Sequence, residues 1–152
     1  MFELTKYQFY GKGMPIIPFK MISDDAPVRF PSSPSDYYGD IVTLDRSLIK
    51  NPDFTYLVSM AGDSMLEAGI LPGSWMVVDR AAEPANGSII VARINGELTV
   101  KYYNITTEAC TLMPANPKHE AIHITKHIDF AVWGVVIHVI TATKSVGFIR
   151  FI

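Results

Sequence analysis

The stretch IIVARINGELTVKYY, residues 89–103, decides the fold class of this chain. Within it, Asn95-Gly96 lies between two apolar runs. This is the strongest short-range sequence signal for a β-hairpin. The stretch therefore predicts two antiparallel strands, Ile89–Ile94 and Leu98–Tyr103, joined by a turn at Asn95-Gly96.

Further short strands are predicted on both sides of this hairpin, separated by turns that contain Gly, Pro or Asn. They are Ile41–Leu44, Tyr56–Met60, Trp75–Val78, Thr111–Met113, Ala121–Ile124 and Phe130–Ile140. Helix is predicted only in two brief stretches, from Asp45 to about Lys50 and from Met65 to Ala68. Short strands with tight turns and little helix are typical of a compact, mainly β domain.

The composition divides the chain into an arm, a domain and a tail. Residues 1–39 contain five prolines interleaved with aromatic and aliphatic side chains, which predicts an extended arm that packs on another surface. Residues 40–142 contain the predicted strands, and 152 residues leave room for one such domain. Residues 143–152 form an apolar extension that either adds an edge strand or binds a partner as a peptide.

Charge and composition argue against several classes of function. The 13 basic and 15 acidic side chains are scattered, so direct nucleic-acid binding is not expected. The single cysteine, Cys110, cannot form an internal disulfide and fits a reducing compartment. No apolar run approaches the roughly 18 residues of a membrane span, and no signal peptide is recognisable. We therefore expect a cytoplasmic protein that does not contact a membrane.

One serine has a position that suits catalysis. The segment Ala61-Gly62-Asp63-Ser64-Met65 places Ser64 at the sharp end of a predicted strand, beside a glycine. Such a position exposes the hydroxyl and can aim backbone N–H groups at one point, as an oxyanion site requires. Most Gly-x-Ser segments are only turns, however, and the local pattern alone favours that interpretation.

One lysine could serve as its base. Along the predicted strand, Lys101 shares a face with Thr99 and Tyr103. Strand spacing alone favours a lysine that faces solvent. If that face is covered, burial lowers the pKa of the amine, and a neutral amine can take a proton from Ser64. The residues leave both interpretations open.

Taken as a pair, the segments Gly62-Asp63-Ser64-Met65 and Leu98-Thr99-Val100-Lys101 resemble the LexA/UmuD family of self-cleaving serine peptidases, and UmuD-like members most. Four further stretches are similar to the same members. They are Phe30-Pro31-Ser32, Asp36-Tyr37, residues 86–91 and residues 133–138. The resemblance therefore covers most of the chain, from about Phe30 to about Ala142.

The resemblance implies a fold of curved β-sheets, a homodimer, and a dyad of Ser64 as nucleophile and Lys101 as general base, without metal or other cofactor. The backbone N–H groups of Ser64 and Met65 would stabilise the oxyanion. It also implies that the arm carries a scissile bond into the active site when a RecA–single-stranded DNA filament promotes the cut. The trimmed dimer would then join a UmuC-like Y-family DNA polymerase for mutagenic translesion synthesis in the SOS response.

The chain departs from the family at the bond that is cut. Family members cut themselves at Ala-Gly or Cys-Gly, whereas the equivalent pair here is Val28-Arg29. Val28 is β-branched and stiff, and Arg29 adds a long charged side chain where glycine allows close backbone approach. Two hypotheses follow. Either the chain is a peptidase that cuts itself near Val28-Arg29 or cuts a relative in trans, or it is a UmuD-like binding subunit whose arm stays attached.

Other functions are less well supported by the residues. His123 and His127 stand four positions apart, but their neighbours favour a strand and a turn, and no cysteine or carboxylate cluster joins them. No metal site is therefore expected. Bacterial signal peptidases share the Ser/Lys chemistry but carry a membrane anchor. A repressor would need a DNA-binding domain, which the sequence does not indicate.

Overall fold

The computed structural model describes residues 48–143 in full, together with the backbone of three short strands at 7–8, 18–20 and 41–43. The described residues form ten strands: β1 (Tyr7–Gln8), β2 (Pro18–Lys20), β3 (Ile41–Thr43), β4 (Thr55–Ser59), β5 (Trp75–Asp79), β6 (Ile89–Ile94), β7 (Glu97–Ile105), β8 (Cys110–Met113), β9 (Ile122–Ile124) and β10 (Phe130–Ile140).

All strand pairs are antiparallel. Eight strands form one sheet in the order β1-β4-β5-β10-β6-β7-β8-β9, and β2 pairs with β3 in a second, two-stranded sheet. Within the described part, 3₁₀ turns occur at Pro52–Phe54 and Leu66–Ala68. The prediction of a mainly β domain with little helix is confirmed.

The predicted hairpin forms as expected. β6 and β7 pair from Ile89 with Tyr102 to Ile94 with Glu97. Asn95 and Gly96 both have positive φ, 49° and 86°, as a two-residue hairpin turn of the mirror-image type requires. The bounds of β6 are those predicted. β7 continues to Ile105, two residues further than predicted, because its second half pairs with β8.

The other predicted strands are present, with bounds that differ by at most one residue at either end. The predicted strand Tyr56–Met60 is shifted back by one residue, because Met60 leaves the ladder to bond with Gly73 and Ser74. The short helix predicted from Met65 is a single 3₁₀ turn ended by Gly69, whose φ of 78° suits glycine. The helix predicted from Asp45 lies largely outside the described residues.

The centre of the large sheet is buried on both faces. Val91 on β6 belongs to one apolar cluster with Val58, Met76 and Val100. Its neighbours Ile90 and Ala92 belong to a second cluster with Leu112 and Val135. Successive side chains of a strand point to opposite faces, so a strand covered on both faces is a continuous apolar run, as β6 is.

The parts predicted as an arm and a tail are described only in places. Within the predicted arm, β1 pairs with the strand β4 of the main sheet. Val28, Arg29 and residues 144–152 lie outside the described residues, so the predictions for the cleavage site and for the tail are not tested.

Candidate active site

Residues 60–70, the first part of the segment between β4 and β5, form the turn that carries Ser64; we call it the nucleophile turn. O of Met65 accepts hydrogen bonds from N of Ala68 at 3.1 Å and N of Ile70 at 3.2 Å, which close the turn on itself. Met65 and Ile70 are fully buried and pack in the same cluster as Val91 and Val100. Apolar burial therefore anchors the turn beside β6 and β7, directly after a serine that is itself 8% exposed.

Lys101 lies near the middle of β7, opposite Ile90 on β6. It is 6% exposed, so the prediction of a solvent-facing lysine, which strand spacing alone favours, is wrong. Its amine end is buried where it meets the hydroxyl of Ser64 in the nucleophile turn.

The structure brings the two predicted residues together. Nζ of Lys101 lies 3.0 Å from Oγ of Ser64. It also lies 2.8 Å from Oγ1 of Thr99 and 3.0 Å from O of Val100. Burial lowers the pKa of the Lys101 amine below its ordinary value, since desolvation disfavours the charged form. Within residues 48–143 no carboxylate lies within salt-bridge distance of Nζ to oppose that shift.

The three oxygen neighbours suit both protonation states of the amine. A neutral amine has two N–H donors and one lone pair. O of Val100 and Oγ1 of Thr99 can accept the two hydrogens, which leaves the lone pair for the hydroxyl hydrogen of Ser64. The ammonium formed by proton transfer then has three oxygen acceptors. The arrangement can therefore take up and return a proton without a large rearrangement.

Several backbone donors of the nucleophile turn have no acceptor in the described part of the chain, and two of them are next to the Ser64 hydroxyl. N of Ser64 and N of Met65 have no acceptor among the described residues. The carbonyls of the two peptide units that carry these N–H groups are occupied, because O of Asp63 accepts from Nδ2 of Asn116 and O of Ser64 accepts from N of Ala115, both at 2.8 Å. Unpaired N–H groups beside a buried hydroxyl can stabilise negative charge on a carbonyl oxygen.

Sequence reasoning missed the segment that follows β8. Asn116 is 6% exposed and stands between Pro114 and Pro117, a pattern that indicates a fixed turn. Nothing in the local sequence indicates that its side chain reaches Asp63, 53 positions earlier. The sequence predicts the correct strand face for Thr99 but not its contact with Nζ of Lys101.

Asp63 pairs with His119 and not with Lys101. Nε2 of His119 lies 2.7 Å from Oδ1 of Asp63, in a partly exposed pair. The hydrogen bond from His119 is the main cause that lowers the pKa of Asp63. Asp63 therefore belongs to the turn and does not orient Lys101.

Other reactive side chains lie in ordinary structural positions. His123 is on β9, where Nδ1 lies 3.2 Å from Oγ1 of Thr111, and His127 is in the turn that follows. Across the described ranges, no three His, Cys, Asp or Glu side chains are close enough to hold a metal. Burial raises the pKa of the Cys110 thiol, which disfavours the thiolate. None of the helical turns in this part of the chain has the length and apolar character to cross a membrane.

Comparisons with known proteins identify what the chain is similar to. The family described as Peptidase S24-like matches residues 20–137. The chain is 34% identical over 125 residues to Protein SamA of Salmonella typhimurium, covering 82% of this chain and 86% of SamA. It is 33% identical over 125 residues to Protein ImpA of the same organism, covering 82% and 85%.

Repressors are also similar to part of the chain. LexA repressor 1 of Xanthomonas campestris pv. campestris is 44% identical over 93 residues, which cover 60% of this chain and 45% of the repressor. The chain thus spans about half the length of the LexA repressors it matches, and most of the length of SamA and ImpA.

Proposed function

Because this chain belongs to the Peptidase S24-like family, we propose that it is a serine peptidase in which Ser64 is the nucleophile and Lys101 the general base. The observation that carries the proposal is the 3.0 Å distance between Nζ of Lys101 and Oγ of Ser64, two side chains that are both almost fully buried. A buried lysine without a carboxylate partner is an unusual structural residue and a suitable base.

The reaction follows from these contacts. Oγ of Ser64 attacks the carbonyl carbon of the scissile bond while its proton passes to Nζ of Lys101. The carbonyl oxygen becomes an oxyanion that accepts hydrogen bonds from N of Ser64 and N of Met65. Lys101 returns the proton to the leaving amine, and water then hydrolyses the acyl-enzyme with Lys101 again as the base. No cofactor takes part in these steps.

In the cell, the chain acts as a UmuD-like protein of the SOS response. It forms a homodimer in the cytoplasm, responds to a RecA–single-stranded DNA filament, and joins a UmuC-like Y-family polymerase in translesion synthesis. Its likeness to SamA and ImpA extends along most of both proteins and supports this role more than the half-length likeness to LexA repressors.

The chain is organised for that role as an arm at 1–39, a peptidase domain at 40–142 and an extension at 143–152. The pairing of β1 with β4 supports an arm that lies along an edge of the domain. Self-cleavage would fall at or near Val28-Arg29 and release a chain that begins near Arg29.

The identity of this bond supports a second candidate function. A site shaped for Ala-Gly accepts Val28-Arg29 poorly, because the side chains of Val28 and Arg29 are larger than those of alanine and glycine. In this alternative the chain is a UmuD-like binding subunit whose arm stays attached.

Incubation at alkaline pH separates these functions, because it deprotonates Lys101 without needing a filament. A self-cleaving peptidase yields a fragment that begins near Arg29, detected by intact-mass spectrometry, and Ser64→Ala abolishes it. If the arm stays whole but the Ala-Gly arm of an inactive relative is cut when mixed with this chain, the activity is in trans. If neither substrate is cut, only the binding subunit remains.

A further inference from the structure

Residues 115–116, which follow β8, hold two consecutive peptide groups of the nucleophile turn. Nδ2 of Asn116 donates to O of Asp63, and N of Ala115 donates to O of Ser64, both at 2.8 Å. In return, N of Glu67 donates to O of Ala115 at 2.8 Å. The turn is therefore fastened to this segment by three hydrogen bonds, and two of them use the carbonyls that flank Ser64.

These bonds set the direction of the free N–H groups. A trans peptide unit is planar, with its C=O and N–H pointing in opposite directions. The described residues contain no cis peptide bond. Since O of Asp63 points toward Asn116, N–H of Ser64 in the same unit points away from it. In the same way, N–H of Met65 points away from Ala115.

Asn116 is itself held in one orientation. Its Oδ1 accepts a hydrogen bond from N of Lys118 at 3.0 Å. O of Asp63 can only accept and N of Lys118 can only donate. The Nδ2 end of the Asn116 amide must therefore face Asp63, and the Oδ1 end must face Lys118. Turning this buried side chain would leave both groups unpaired, which is costly.

We propose that Asn116 is a positioning residue, which holds the Asp63–Ser64 peptide unit so that N–H of Ser64 donates to the oxyanion. The inference rests on the proposed peptidase function and deepens it. The hydrogen bonds of the Asn116 side chain go to O of Asp63 and N of Lys118, so it acts through the backbone that leads into Ser64. Removing one oxyanion donor slows an enzyme about 10²–10³-fold, and misaligning one costs somewhat less.

Asn116→Asp tests the proposal. The variant keeps the size of the side chain and the acceptor for N of Lys118, but it places a carboxylate oxygen against O of Asp63. The readout is the rate at which a fluorophosphonate labels Ser64. In that reaction the Oγ–P bond forms, fluoride leaves with the P–F electrons, and the hydroxyl proton passes to Lys101. We expect labelling about tenfold to a hundredfold slower than wild type at the high-pH plateau, where Lys101 is neutral in both proteins, so the comparison does not depend on any shift that the added carboxylate causes in the pKa of Lys101.

Asn51→Asp is the matched control. Nδ2 of Asn51 donates to Oδ2 of Asp79 at 2.7 Å, at the end of β4 that lies away from Ser64. The same substitution there removes the same kind of donor and is expected to lower stability without slowing the labelling.

The outcomes separate this inference from the proposed function. Equal labelling of wild type and Asn116→Asp overturns the inference and leaves the peptidase standing. The same loss of plateau rate in Asn51→Asp overturns it too, because that result indicates a general structural disturbance. A wild type that is not labelled at Ser64 overturns both.

A measurement on the wild type covers the case in which Asn116→Asp does not fold. In ¹H–¹⁵N NMR spectra, the amide proton of Ser64 is expected to move downfield on phosphonylation, as it gains the phosphonyl oxygen as acceptor. An amide of Ser64 that does not move contradicts the orientation that Asn116 is proposed to impose.

Discussion

At Lys101, the cost of burying a charge supports the proposed mechanism. An ammonium removed from water is destabilised, and the pKa falls until the neutral amine competes. Lys101 pairs with hydroxyl and carbonyl oxygens only, in the part of the chain that the structure describes. Neutral oxygens compensate the charge of an ammonium less than a carboxylate does. The neutral form of the Lys101 amine is therefore favoured more than it would be beside a carboxylate.

This lowered pKa makes a prediction for stability. The unfolded chain binds the Lys101 proton up to about pH 10.4, whereas the folded chain releases it at lower pH. Between the folded pKa and about 10.4 the unfolded state therefore holds more protons, and the free energy of unfolding rises with pH. Lys101→Met removes this contribution. Denaturant unfolding of both proteins at several pH values should show the free energy of unfolding rising with pH more steeply for wild type than for the variant. Parallel curves would contradict a depressed pKa.

The residues of the site differ in how far the sequence predicts them. Ser64 stands in a recognisable turn, and Lys101 stands in a motif that pairs with it. Asn116 acts on the backbone of a residue distant in sequence, so no local pattern indicates its role. Burial of Lys101 depends likewise on which segment covers β7, which only the folded chain decides.

At the scale of elements, β10 and β5 approach closely at Gly134. A Cβ added there would lie 2.6 Å from Cγ1 of Val78 and 3.3 Å from O of Asp79. Beside it, the guanidinium of Arg80 lies 4.6 Å from the ring centre of Trp133, and Nε donates to O of Trp133 at 3.0 Å. Glycine therefore allows β10 to pack against β5 at a point where its register with β6 also shifts.

Gly134→Ala should separate these two strands. We expect a loss of about 1–3 kcal/mol in the free energy of unfolding, because both the side chain of Val78 and the backbone of Asp79 must give way. Gly62→Ala is the matched control, since its Cβ meets no atom within 4 Å and its φ is not left-handed. Chemical denaturation measures both. A Gly134→Ala protein as stable as the control would show that the contact is not tight.

The elements themselves were predicted where local chemistry decides them. Asn95-Gly96 specifies a tight hairpin turn, and the bounds of β6 and β10 follow from their apolar runs. The extension of β7 to Ile105 depends on pairing with β8, and the exit of Met60 from β4 depends on bonds to the next turn. Tertiary contacts of this kind carry no local signal.

Across the whole molecule, the strand order explains how the proposed dyad assembles. β4 and β7 are separated by β5, β10 and β6 in the sheet, so Ser64 and Lys101 do not meet through neighbouring strands. The nucleophile turn closes this distance by burying Met65 and Ile70 with Val91 and Val100. The segment after β8 then holds the turn in place. Catalysis and packing thus depend on the same apolar cluster.

The proposed activation of Ser64 by Lys101 is tested most directly by the pH dependence of fluorophosphonate labelling. Wild type should be labelled at Ser64, located by peptide mass spectrometry, with a rate that rises through a pKa below the ordinary lysine value of about 10.4. Lys101→Met should lose this rise and nearly all of the rate. A wild type unlabelled at Ser64, or a Lys101→Met protein labelled as fast as wild type, would contradict the account.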